Sequence, residues 1–422
     1  MASTRSRPPI RSRALPALAI AASAAAAQPV DPSIVAVWPS DAVIRSILDS
    51  SMRAELGALI AIDSNGVRFL DDIGRPRTVG WERLLAITTP EGIESFRPAL
   101  DPDVRVDLND GRRWIGTLAR ESADEVIVDL AWGGRVRASL EEVASIERLE
   151  GGADVVPPSA PSGGDDVLEM SNGDRLRGFL VAFGPRVEFE TDSGVVEVGR
   201  ERVVSVRLAA EPAEPLGPRV WLSDGSVVNA SPAGAAPGTG APDGLGFLWS
   251  LGAAGSGGQP VSWELDAVEA YTPEVSSLTA LATIRLDGFT LPSERRWSEP
   301  PEVDDPRAVP IGLADIRVPG PMSLRWTLPS ASVRLVLQVE ADPAVVGPWT
   351  DSVVTAAIET VDGMLEVGSV RVTSGDPGQT IDASLPGDGG PGRVLVVTID
   401  SGEYGPVQDA VILRRGALLN TN

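Results

Sequence analysis

Two ten-residue stretches of this chain are nearly alike: NDGRRWIGTL at 109–118 and SNGDRLRGFL at 171–180. Each places a turn signal, Asp110-Gly111 or Asn172-Gly173, between apolar runs, and such dipeptides supply the positive φ that a tight hairpin needs. Five residues past the turn glycine both copies carry a second glycine, Gly116 and Gly178, and two residues later a leucine, Leu118 and Leu180. A glycine inside a strand marks a bulge or a sharp bend. An earlier copy is visible in LGALIAIDSNGVRFL and VGWERLLAI, and a later, degraded one in VWLSDGSVV and VSWELDAVEA. Gly57, Gly116 and Gly178 stand 59 and 62 residues apart, and the closing positions Ile87, Ile146 and Val206 stand 59 and 60 apart. Similarity at a fixed period means duplicated small units rather than one large domain.

The strands VIVDL and VEFET and the closing segments ASLEEVASI and VGRERVVSV complete two of the units. The sequence therefore predicts four tandem small β units, each a twisted meander or a partly open barrel, at 40–98, 99–150, 167–210 and 219–272. Their strand order resembles an Sm-type small barrel. Gly, Pro and acids mark mobile linkers at 151–166 and 211–218, and the fourth unit is expected to carry a floppy insertion at 231–260. SDAVIRSILDSSMR reads as a short helix capped by Ser40 or as a strand entering the first unit.

Residues 1–27 hold Arg5, Arg7, Arg11 and Arg13, then a short apolar run, then Ala25-Ala26-Ala27. That is the order of a secretory signal peptide. The apolar run, about fourteen residues, is short of the about twenty that span a bilayer. Cleavage near Ala27 would leave a secreted or periplasmic chain with no membrane span. The full chain carries a formal charge of −23, so losing four Arg gives −23 − 4 = −27. Such a field repels nucleic acid, whose binding rests on cationic contacts to phosphate.

The chain has no Cys, no His and no Lys. Ser-His-Asp triads, Cys nucleophiles, ordinary zinc sites, Schiff bases and P-loops are excluded together. Carboxylate chemistry stays open, as a two-acid glycosidase or a structural calcium shell, though no cofactor is indicated.

From about residue 273 the repeat stops. Strand-like runs at 323–328, 333–341, 354–361, 365–372 and 393–401, separated by DP, GP, DG and SGDPG turns, predict a β-sandwich of jelly-roll type. The fold class expected is thus all-β, tandem small barrel-like repeats followed by a jelly-roll sandwich. The order YTPEVSSLTAL, IGLADIRVPGPMSLRWTLP, VRLVLQVEADP and RVLVVTIDSGEYGPVQDAVILRRGALL resembles the NPCBM family, the novel putative carbohydrate-binding module of secreted bacterial proteins, over residues 273–422. Gly312-Leu313, Asp400 and Asp409-Ala410 match its motifs. Ala314, Asp315 and Ile316, and Val411 and Ile412, stand where that family has its remaining motif residues, a His and a Trp among them.

The resemblance implies a non-catalytic module that binds polysaccharide at or outside the cell envelope, and a site of aromatic face plus carboxylates has the chemistry for it. The candidate binding residues are Trp326, Trp349, Asp400, Tyr404 and Asp409, each tryptophan weighed against a place in the core. Trp81, Trp114, Trp221 and Trp263 in the repeats are read as core or edge cover rather than stacking platforms, and Arg112-Arg113 as a solvated face rather than an anion site. The alternatives are a structural scaffold that engages envelope proteins and has lost its sugar site, and a carboxylate-only glycosidase.

Overall fold

The computed structural model describes residues 42–63, 65–90, 102–119, 124–149, 164–235, 246–251, 260–293, 298–307, 309–360, 363–386, 392–406 and 408–420; the leader-like segment and the linker residues 151–163 lie outside the described residues. The chain is all-β, built of antiparallel sheets, and among the described residues none of its units closes into a barrel.

The first unit holds β1 (Ile44–Asp49), β2 (Ala54–Asp63), β3 (Gly66–Leu70), β4 (Pro76–Val79) and β5 (Leu84–Thr88). The second holds β6 (Val104–Leu108), β7 (Arg113–Leu118), β8 (Glu125–Leu130), β9 (Arg135–Ser139) and β10 (Val143–Arg148). The third holds β11 (Asp166–Met170), β12 (Arg175–Phe183), β13 (Arg186–Thr191), β14 (Gly194–Gly199) and β15 (Val203–Arg207). The fourth breaks its second strand in two: β16 (Arg219–Leu222), β17 (Val227–Val228), β18 (Ala230–Ala235), β19 (Gly246–Leu251), β20 (Pro260–Glu264) and β21 (Val268–Thr272).

One first turn serves all four units. Gly111 N–H donates to Leu108 O while Leu108 N–H donates to Arg112 O, and the same pair of bonds recurs at Gly173, Gly225 and Met52. The φ values are 84°, 86°, 89° and, at Met52, 60°. A left-handed backbone suits glycine and is strained for methionine. Met52 is held there with its side chain buried against Leu85, Leu278, Val336 and Leu419, where the first unit meets the C-terminal sandwich. The second glycine is required by close approach of the next strand. A Cβ on Gly116 would fall 2.1 Å from Asp129 O, one on Gly178 1.8 Å from Glu190 O, and one on Gly57 2.2 Å from the Phe69 ring.

The closing strands join the units in pairs. β10 pairs antiparallel with β15, Ile146 opposite Val206, and β5 pairs with β21, Ile87 opposite Tyr271. In each joint the closing position meets its own counterpart and the residues on either side exchange partners about it, the signature of a local two-fold. Buried guanidinium groups add further ties, since Arg45 of the first unit donates to Val268 O of the fourth at 3.2 Å and Arg219 of the fourth donates to Asp110 O of the second at 2.7 Å. Burial lowers the pKa of both.

One open alternative is decided and two expectations are corrected. Residues 44–49 form a strand, not a helix, because alternate side chains are buried between β2 and β5. In the described parts of the Gly/Ala/Pro-rich stretch 231–260 the chain forms strands where an insertion was expected: β18 pairs with β19 and β19 with β20, and Trp249 is fully buried against Trp263 and Tyr271. Segment 211–218 is tied down, with Ala213 N–H on Asn109 O and Gly217 N–H on the Glu274 carboxylate. Trp114 and Trp263 fill the core, and Trp81 packs edge-on against Tyr271. Arg112 is paired with Asp110 and Glu142 beside the Trp114 ring, so it offers no anion site.

The C-terminal strands are β22 (Leu278–Ala280), β23 (Gly288–Thr290), β24 (Glu302–Val303), β25 (Ile316–Val318), β26 (Met322–Thr327), β27 (Ser332–Ala341), β28 (Asp351–Thr360), β29 (Gly363–Thr373), β30 (Gly378–Ser384), β31 (Val394–Ser401) and β32 (Val411–Asn420). They form two facing sheets, β24-β25-β32-β27-β30 with β22 beside β32, and β23-β26-β31-β28-β29, over one apolar core. Arg334 bridges to the first unit, reaching Ser50 O and Ser51 O while paired with Asp382.

Candidate functional site

The junction with the repeats takes Arg334 and Val336 on β27 and Ala417 and Leu419 on β32. The opposite end of the same two strands is free of that contact. From Val336 to Ala341 is five residues, about 17 Å of extended chain. There three connections converge: 319–321 before β26, 342–350 after β27 and 402–410 before β32.

Backbone bonds tie these connections together. Asp342 N–H donates to Ala410 O, while Asp342 O accepts from Val345 and Val346 and rounds the turn. Gly347 N–H donates to the Thr350 hydroxyl. Asp351 is buried at the head of β28 and accepts from Arg371 at 2.5 and 2.7 Å and from Glu403 N–H at 2.6 Å. Arg371 holds its pKa below the ordinary carboxylate value. A Cβ on Gly402 would lie 2.2 Å from that carboxyl group, so the chain can turn over Asp351 only through glycine.

The result is a cleft of about 510 Å³ walled by Pro319, Pro321, Val345, Val346, Gln408 and Asp409. Beside it Trp349 and Tyr404 stand edge to face, ring centres 5.5 Å apart at 80°, 54% and 50% exposed. Gln408 joins the two features, since it lines the cleft and its Oε1 accepts from Trp349 N–H at 3.1 Å. Its backbone sits at φ 59°, a strained conformation of the kind found at ligand sites.

Of the five candidates, Trp349, Tyr404 and Asp409 are brought together. Asp409 is 3% exposed at the cleft wall, its carbonyl accepting from Ser352 Oγ. Asp400 is exposed on β31, opposite Val353 and two residues before the same connection. Trp326 is corrected: it is 1% exposed in the sandwich core, because its place in the alternation of β26 points it between the sheets. Gln408 and Val345-Val346 were missed, and nothing in their local sequence marks them. Ala314, Ile316, Val411 and Ile412, where the NPCBM motifs are not matched, are core residues. Among the described residues no group of three or more acids is placed to hold a metal ion, and no helix is long and apolar enough to cross a membrane.

Chemically, the site offers two aromatic faces and acceptor carboxylates beside a concave wall. The Arg371 guanidinium beside it is committed to Asp351.

The chain matches no protein-family model and no curated protein. Solved structures similar to it include carbohydrate-binding modules, and also the Cry4Aa toxin of Bacillus thuringiensis and a family 43 glycoside hydrolase of Bacillus subtilis. The modules include the CBM51-2 and INT domains of Clostridium perfringens ZmpB (8% identity, 45% of this chain, 40% of that one, TM-score 0.28). The CBM51 of Clostridium perfringens GH95, solved in complex with methyl-galactose, is 10% identical over 33% of this chain and 99% of that one, TM-score 0.26. The CBM22-1-CBM22-2 tandem domain of Paenibacillus barcinonensis Xyn10C is 14% identical over 79% and 100%, TM-score 0.24. The chain spans less than half the length of the first of these chains. At such scores the likeness assigns no function, and the site is read from its own geometry.

Proposed function

We propose that residues 273–422 are a glycan-binding module of the NPCBM kind, carried on a secreted or periplasmic non-catalytic protein whose repeats hold it at or outside the cell envelope. The observation that carries this reading is the exposed Trp349–Tyr404 pair beside the cleft. Two large rings left half in water are costly unless they serve a surface contact, and a sugar ring's C–H face stacks on an aromatic face while its hydroxyls donate to carboxylates. The exposed Glu403 supplies an acceptor, and with Arg371 already paired the site favours neutral over acidic sugars.

The test is a glycan array and an insoluble-polysaccharide pull-down with the mature chain, with and without calcium, using methyl-galactose as the first soluble competitor. Saturable binding to neutral glycans, lost in Trp349→Ala and Tyr404→Ala, supports the proposal. No binding by the folded chain contradicts it, and release of reducing sugar would replace it with a two-carboxylate glycosidase.

A further inference from the structure

Each repeat ends its meander on a strand paired on one side only: β4 with β3, β9 with β8, β14 with β13 and β20 with β19 among the described residues. Open edges invite pairing with another chain, and proteins guard them with proline and charge. β4 carries Pro76 and Arg77, β9 carries Arg135 and Arg137, and β20 begins at Pro260. β14, GVVEVG, has no proline and no cation. The repeat is its own control, and in the third unit the edge is guarded by a single carboxylate, Glu197, without the proline or arginine of the other three.

The face above that edge is also open. The register sets Phe179 opposite Glu190 and Glu190 opposite Val195, so the three share the outer face while Phe189 and Val187 fill the core. Phe179, Val181 and Val195 are 56%, 44% and 60% exposed. Glu188, Glu190 and Glu197 lie on the same face as Arg186, which pairs with Glu197, so these four groups leave β13 and β14 with net negative charge. In the second unit the corresponding end of the meander is covered, since Trp263 of the fourth unit donates to Gly133 O and Val261 and Leu251 pack on Gly134.

We propose that β14 is a docking edge for an extended segment of a partner protein that adds to it as a further strand, with alternating apolar and basic side chains. The register specifies the pattern: on the outer face the incoming strand presents an apolar side chain beside Val195 and, two residues along, Arg or Lys beside Glu197. Main-chain hydrogen bonds give affinity, and the carboxylates select the basic residue. A second copy of this chain is disfavoured, because it would set two such acidic faces together within a chain of charge −23.

The probe is a blocked octapeptide repeating Val-Thr-Arg-Thr, with a Val-Thr-Glu-Thr counterpart, titrated into the mature chain while hydrogen exchange follows the amides of β14. The expected result is at least tenfold slower exchange across Val195–Val198 with the Arg peptide only. Val195→Arg restores a guard at an exposed position; it should weaken the peptide at least tenfold while leaving the thermal midpoint unchanged. No protection at β14, equal protection by the Glu peptide, or binding undiminished in Val195→Arg overturns the proposal. So does a wild-type dimer in sedimentation that Val195→Arg dissolves, which would make the occupant a second copy.

Discussion

Replacing Gly178 by alanine tests the structural meaning of the repeat with a single methyl group. The added Cβ would lie 1.8 Å from Glu190 O, and the backbone stands at φ 155°, where an alanine is strained by about 1–3 kcal/mol. Overlap with a backbone oxygen cannot be relieved by a side-chain rotation, so β12 and β13 must part, adding about 1–3 kcal/mol. The sum is about 2–6 kcal/mol. Gly116→Ala shares the overlap, 2.1 Å from Asp129 O, without the positive φ, and should cost about 1–3 kcal/mol. Gly173→Ala has the positive φ but meets nothing within 4 Å, so it should cost about 1 kcal/mol. Urea unfolding of the protein and its three variants, followed by far-ultraviolet circular dichroism, gives the order directly. An equal cost for all three, or Gly178→Ala within 1 kcal/mol of wild type, would refute the view that the second glycine exists to let neighbouring strands approach.

Trp326→Ala should destabilise the sandwich by about 3–5 kcal/mol as a buried aromatic, whereas Trp349→Ala should move stability by less than about 1 kcal/mol; thermal melts compare them. Arg105→Ala should cost about 3–5 kcal/mol in denaturant unfolding, because it leaves Glu147, 2.6 Å away and buried, without its strongest partner. Burial pushes Asp224 up to about 6 from an ordinary 3.8. The folded state therefore binds a proton more tightly than the unfolded one, and stability rises as pH falls from about 6 to about 4, by at most about 3 kcal/mol. Glu147, also raised by burial, adds in the same direction, while the lowered carboxylate of Asp351 opposes it only on further acidification. Asp224→Asn should flatten that window in pH-dependent melts.

The repeat was legible because its signals are local. A hairpin glycine and a strand glycine constrain backbone within a few residues, so Gly111, Gly116, Gly173 and Gly178 mark their roles without tertiary information. Met52 shows the limit: it occupies the same left-handed position, but the reason is a contact with the distant Val336 and Leu419. The strand β19 was hidden for a similar cause. Its neighbours in sequence are glycine, alanine and proline, and it is held by Trp249 packing on Trp263 and Tyr271, none of which local propensity encodes. At the candidate site, composition suggested aromatic and acidic residues, but only burial could separate Trp326 from Trp349. Gln408 gave no sign, since its importance comes from bridging two connections that meet in space.

The central claim is that the Trp349–Tyr404 surface takes a glycan, and calorimetric titration tests it most directly. The protein, titrated with the glycan selected on the array, should give a saturable isotherm, with affinity reduced at least tenfold, about 1.4 kcal/mol, in Trp349→Ala at an unchanged melting temperature. An isotherm identical in wild type and Trp349→Ala would place any sugar site elsewhere and contradict the account.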